Sequence, residues 1–117
     1  MEKTNPVLKK TIRKLEEKGR KKDIDIWKEA AERLKRSERK KNPVNLSKIK
    51  RHVENGSTIL VPGKVTAYGS LEKDIKVAAF SFSSDAKKEL EENGEAISIL
   101  DLLEENPEGE EVRLMEG

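Results

Sequence analysis

Cysteine is absent from the chain and histidine occurs once, as His52. The first absence removes disulfides, thiolate zinc sites and cysteine nucleophiles together. The second removes paired-histidine metal sites such as HExxH. Aromatic residues make up only 3% of the sequence, so any core must be aliphatic. No stretch approaches the ~18 uncharged apolar residues of a membrane span, and the opening segment MEKTNPVLKK has no apolar signal region. These absences point to a soluble, unsecreted protein with no membrane partner. They leave carboxylate or lysine chemistry, or binding without chemistry.

What is present is a modest aliphatic reserve and a great deal of charge. Leu, Ile, Val and Phe account for 28 of 117 residues. That is above the ~20% floor below which chains tend to stay disordered. The length is that of one domain, 1–117. Charged residues reach 41%, yet the net charge is only +2. That figure hides a segregation. Residues 1–52 carry 19 Lys/Arg against 8 Asp/Glu, whereas residues 53–117 carry 6 against 15. A basic half of this kind points to a polyanion partner.

Along the chain, Asn5-Pro6 reads as a cap followed by proline at the first helical position. Leu8, Thr11, Ile12 and Leu15 then recur at helical spacing, and Gly19 supplies a stop, followed by a basic turn of Arg20, Lys21 and Lys22. The opposite face of this helix carries Lys9, Lys10, Arg13, Lys14 and Lys18. Asp23 is placed to cap a second helix striped by Ile24, Trp27, Ala31 and Leu34, where Trp27 is in phase with the core rather than set out as a base-stacking platform. The run from Lys35 to Pro43 has no apolar residue and reads as an exposed basic loop containing Arg36, Arg39, Lys40 and Lys41. Asn45 or Ser47 caps a short third helix, with Leu46, Ile49 and Val53 inward, Lys48 and Arg51 outward, and Gly56 closing it.

From residue 57 the period changes. Residues 57–61 form a short apolar strand ending in a Pro62-Gly63 turn, and residues 64–69 form a second extended piece. Residues 74–82 make the strongest strand, with Ile75, Val77, Ala79 and Ser81 on one face. Ser83 or Ser84 caps a helix from Asp85 to Asn93 that stops at Gly94. A strand at 96–99, a short helix holding Leu100, Leu102 and Leu103, and a last strand at 112–115 follow. This alternation argues α/β, with the basic, helical N-terminal part packed onto it.

No enzymatic constellation accompanies these elements. Gly56, Gly63 and Lys64 do not make a phosphate loop: six residues separate the glycines where four are needed, and Val65 follows the lysine where Ser or Thr is required. Pro62-Gly63-Lys64 is either a plain turn or one whose backbone amides and lysine meet a phosphate. His52 has no Ser or Asp partner at a defined spacing, and the adjacent carboxylates Glu91-Glu92, Glu104-Glu105 and Glu110-Glu111 do not face each other on a helix. The basic region also lacks the aromatics of sequence-reading single-strand binders. Phosphate contact and shape recognition by Lys and Arg remain, which suits one fixed, folded RNA. The candidate contact residues are Lys9, Lys10, Arg13, Lys14, Arg20, Lys21, Lys22, Lys35, Arg36, Arg39, Lys40, Lys41, Asn45, Lys48, Arg51, Gly63 and Lys64.

Several blocks, in order, resemble the archaeal and eukaryotic-type large-subunit ribosomal protein eighteen family. They are Asn5-Pro6 with its helix, Ile26-Trp27-Lys28 leading to Leu34, and Val44-Asn45-Leu46-Ser47-Lys48-Ile49. Val61-Pro62-Gly63-Lys64-Val65 comes next, then the run from Val77 to Ser83 with Ala86, and Asn106-Pro107 before Val112-Arg113. The resemblance covers nearly the whole chain and implies a non-enzymatic structural constituent of the large ribosomal subunit in the cytoplasm. Its partners would be 23S-type rRNA and neighbouring large-subunit proteins, with no cofactor and no small-molecule substrate. The family is similar to the bacterial-type large-subunit protein fifteen family, which implies an irregular superhelix of β-β-α turns as the core. A free-standing RNA-binding regulator or maturation factor is the alternative, and a lysine- or carboxylate-dependent enzyme finds no support in the residues.

The basic loop makes one expectation measurable. Each Lys or Arg that neutralises a phosphate releases condensed counterions, so removing one contact changes the slope of log affinity against log salt by about 0.7–0.9. Replacing Arg39, Lys40 and Lys41 together with Ser is expected to flatten the slope for large-subunit rRNA by about two to three units, with folding nearly untouched. An unchanged slope excludes the loop as a phosphate contact.

Overall fold

The computed structural model describes residues 6–36, 43–67 and 70–116. The expected contact residues Arg39, Lys40 and Lys41 lie outside these. Among the described residues, helices α1 (Pro6–Lys22) and α2 (Asp25–Arg36) come first, then strand β1 (Val44–Asn45) and helix α3 (Leu46–His52). Strands β2 (Thr58–Thr66) and β3 (Lys76–Phe82) follow. Helix α4 (Ser84–Asn93), strand β4 (Glu95–Ser98), helix α5 (Ile99–Glu105) and strand β5 (Val112–Leu114) complete the α/β order.

All strand pairs are parallel. Strand β2 is the hub. It pairs with β3 along one edge, while β5 (opposite Thr58–Leu60) and β1 (opposite Val65 and Thr66) lie end to end along the other. A parallel sheet has both faces covered, and its strands read as near-continuous apolar runs. Side-chain alternation divides the core in two. Ile59, Val61, Val77 and Ala79 point into a cluster with Leu46, Ile49, Ala86 and Leu90 of α3 and α4. Leu60 and Ala78 point the other way, into a cluster with Leu15, Trp27, Leu34 and Leu102 of α1, α2 and α5. The expected face of Ile75, Val77 and Ala79 is therefore present, but Ala78 is equally buried and Ser81 is exposed.

Local signals account for most element ends. Asn45, not Ser47, caps α3, its side chain accepting from Ser47 N at 3.0 Å. Ser83 caps α4, its hydroxyl accepting from Ala86 N, and Ser98 caps α5 in the same way at Asp101 N. The α3 helix ends at His52 with Val53 as its C-cap, and Gly56 serves the turn beyond at φ 88°.

Three expectations need correction. First, α1 does not stop at Gly19 but runs on to Lys22, so Arg20, Lys21 and Lys22 are helical. Gly19 is glycine because α2 crosses it: an added Cβ would lie 2.7 Å from Lys28 Cγ and 3.2 Å from Lys28 N. Second, Asp23 does not sit at the helix boundary as a cap. It turns the chain at φ 55°, two residues before α2, and its carboxylate accepts from Lys28 Nζ. Third, Pro62-Gly63 is not a turn between two strands. It is a bulge inside β2, because the register moves from Val61↔Ala79 to Lys64↔Ser81, three residues on β2 against two on β3. Proline has no N–H to give a ladder, and a bulge is where a strand tolerates it. Gly63 is not among the glycines of positive φ, and a Cβ there would meet nothing within 4 Å. Gly63→Val is thus expected to shift stability by less than about 0.5 kcal/mol in a denaturant melt, where a type II turn would have cost more.

Trp27 is fully buried, and its Nε1 donates to the Pro107 carbonyl at 2.9 Å. Trp27→Ala is expected to lower unfolding stability by about 3–5 kcal/mol, as a large-to-small core change. A stability loss under ~1 kcal/mol would contradict this packing.

Candidate nucleic-acid interface

Helix α1 buries Thr11, Leu15 and Gly19 and turns its other sides outward. Positions three or four apart share a side of a helix. Lys10, Lys14 and Lys21 therefore form one row, with Lys18 beside it, while Arg13 and Arg20 form a second row with Lys9 at its edge. All these side chains are exposed except Lys18, which is half-buried, and none takes an ion pair among the described residues. Helix α1 thus presents rows of exposed cations to solvent.

Other expected cations are already engaged. Lys22 Nζ meets Glu108 Oε2 at 2.9 Å. Lys35 Nζ meets Glu16 at 2.6 Å, and that hydrogen bond raises the lysine pKa above its ordinary 10.5. Lys48 Nζ donates to the Glu116 carbonyl at 2.9 Å. Asn45 is committed to its cap and also reaches Thr66 Oγ1 at 3.4 Å. Arg36, Arg51 and Lys64 are exposed. The pairing of Val44 with Val65 sets Pro43 beside Lys64, so Lys64 is an exposed cation on a different element from α1.

Lys18, expected on this face of the helix, is one helical turn from Lys14. Other neighbours of the site come from a distant segment. The other wall of the α1 row is α5 with the turn after it: Leu100, Leu103, Glu104 and Pro107 line a groove of about 650 Å³ with Lys10, Lys14, Glu17, Lys18 and Lys21. No local pattern links residues so far apart in the chain.

The described residues contain no group of three or more His, Cys, Asp or Glu able to hold a metal ion, and no helix among them is long and apolar enough to cross a membrane. His52 is exposed with Nδ1 2.9 Å from the Lys48 carbonyl oxygen. The acidic residues Glu91, Glu92, Glu110 and Glu111 are exposed, and Lys76 bridges Glu105 and Glu95 at 2.8 and 3.7 Å.

Fold and surface together define a small α/β protein with a cationic helical layer on one side. The family model described as "Ribosomal protein 60S L18 and 50S L18e" matches residues 2–117. The large ribosomal subunit protein eL18 of Methanococcus maripaludis is 44% identical over 113 residues, covering 96% of this chain and 94% of that protein. The proteins of the same name from Haloarcula marismortui and Archaeoglobus fulgidus are 41% and 43% identical, each covering 98% of this chain and 99% of the relative. The chain belongs to this family of large-subunit ribosomal proteins, whose members are structural constituents and not enzymes.

Pairing decides which cations are available. The triple change of Lys10, Lys14 and Lys21 to Ser is expected to flatten the salt slope for large-subunit rRNA by about two units and leave the melting temperature nearly unchanged. Changing Lys22 and Lys35 to Ser is expected to alter the slope less per residue, because their charges already face Glu108 and Glu16. Filter binding across a salt series measures both.

Proposed function

We propose that this chain is an rRNA-binding structural constituent of the large ribosomal subunit, working in the cytoplasm among neighbouring large-subunit proteins. The observation that carries the reading is the set of unpaired cations on α1, held on a helix whose other face is locked into the core. Lys and Arg without acidic partners are free to neutralise phosphates, and the affinity such contacts give is independent of sequence. The family's relatives are named for the large subunit, and that context supplies a polyanion of fixed shape. A second set of contacts on the same RNA, separate from α1, is Arg51, Lys64 and the loop residues Arg39, Lys40 and Lys41. One domain, 1–117, carries both, with residues 1–52 as its RNA-facing part.

Sedimentation tests the role. Tagged protein is expected to travel with large subunits at one copy per particle and to stay there at moderate salt. Substoichiometric association, or release with free precursor particles only, would instead identify a regulator or maturation factor.

A further inference from the structure

We propose that the groove between α1 and α5 receives a single extruded nucleotide of the bound RNA, with guanine preferred. This deepens the RNA-binding reading and rests on it.

Phosphate contact alone does not account for the lining of this groove. Its floor is apolar, made by Leu100, Leu103 and Pro107, and a sugar-phosphate backbone has little to set against such a floor. Two carboxylates, Glu17 and Glu104, stand among the lysines and would repel a phosphate. Neither makes an ion pair among the described residues, so the oxygens of both remain open to a ligand's donors.

A nucleotide swung out of its stack satisfies all three components. Its ring face lies on the leucines and proline, as flipped bases lie on apolar side chains. Its flanking phosphates meet the row of Lys10, Lys14 and Lys21, in which Lys10 and Lys14 are one turn, about 6 Å, apart. Its edge offers N–H donors to a carboxylate, which only accepts. Guanine carries an imino and an amino donor side by side, matching the two oxygens of one carboxylate, whereas uracil has a single donor on that edge. The groove's volume of about 650 Å³ falls in the range of small-ligand sites.

The slot is also built before anything enters it. Buried Trp27 holds the Pro107 carbonyl at 2.9 Å, Lys22 holds Glu108 at 2.9 Å, and Asn106 Oδ1 and Nδ2 bind Glu110 N and O at 3.2 and 2.9 Å. A preformed floor spares the ordering cost on binding. With no aromatic in the lining, ring contact is weak, and discrimination falls to the carboxylates.

The test uses the full chain and fluorescein-labelled RNA hairpins identical but for one bulged nucleotide: G, A, C or U. Fluorescence anisotropy at one moderate salt concentration gives the affinities. The G bulge is expected to bind about tenfold more tightly than the U bulge. The double variant Glu17→Gln, Glu104→Gln is expected to erase most of that preference and to leave the salt slope unchanged. Half-buried Leu100 changed to Ser is expected to weaken every bulged hairpin several-fold and the unbulged hairpin not at all. Equal binding of the four bulges, or a G preference that survives in the double variant, overturns the slot and leaves the RNA-binding reading standing. Failure of the folded protein to bind any hairpin or large-subunit rRNA overturns both.

Discussion

Everything in this molecule is arranged around the fact that the stretch of β2 before its bulge, Ile59 to Val61, has no wet face. Ile59, Leu60 and Val61 are buried in succession, and β3 repeats the pattern with Val77, Ala78 and Ala79. Neighbouring side chains on a strand point to opposite sides, so both sides of the sheet must be covered. Helices α3 and α4 cover one side, and α1, α2 and α5 cover the other. The basic N-terminal segment is therefore a cover for half of the core and not an appendage to it. Leu15, Trp27 and Leu34 give it that task, and the task fixes which sides of α1 remain for solvent.

That constraint orients the charge. Once α1 is seated by Thr11, Leu15 and Gly19, its lysines and arginines have nowhere to go but outward and sideways toward α5. Acidic residues from the second half then meet only some of the cations of the first half. Glu108 takes Lys22, and Glu116 contacts Arg33 and, through its carbonyl, Lys48. Exposed ion pairs of this kind contribute little stability. Their consequence is a sorting of the surface: Lys22 and Arg33 are paired, while the cations along the middle of α1 make no ion pair among the described residues.

Rigidity at the groove comes from the same packing. The hydrogen bond from Trp27 to the Pro107 carbonyl joins the first helical pair to the turn after α5, two segments eighty residues apart. A core residue thus sets the position of a surface feature. The side chain belongs to the fold, while its polar atom shapes the rim where lysines, leucines and two carboxylates meet.

Much of this was legible in the residues themselves, because the deciding interactions are local. Helical spacing of Leu8, Thr11, Ile12 and Leu15, the caps Ser83 and Asn45, and the apolar run 75–79 each act within a few residues. So does the placement of Trp27 in its stripe, and the bias of charge toward the first half is a plain count. The α/β class followed from such signals, and the family from the resemblance of residue blocks in order along the chain. Gly19 and Pro62-Gly63 misled for one reason: glycine and proline announce a special backbone or a close approach without saying which. Whether Gly19 ends a helix or admits another was decided by Lys28. Whether Pro62-Gly63 turns the chain or bulges within it was decided by β3 on one edge and β1 and β5 on the other. The sequence by itself thus determined the elements, the presence of a core and the sign of the surface. Only the tertiary structure decided which cations are unpaired and which residues wall the groove, because those depend on contacts between segments far apart in the chain.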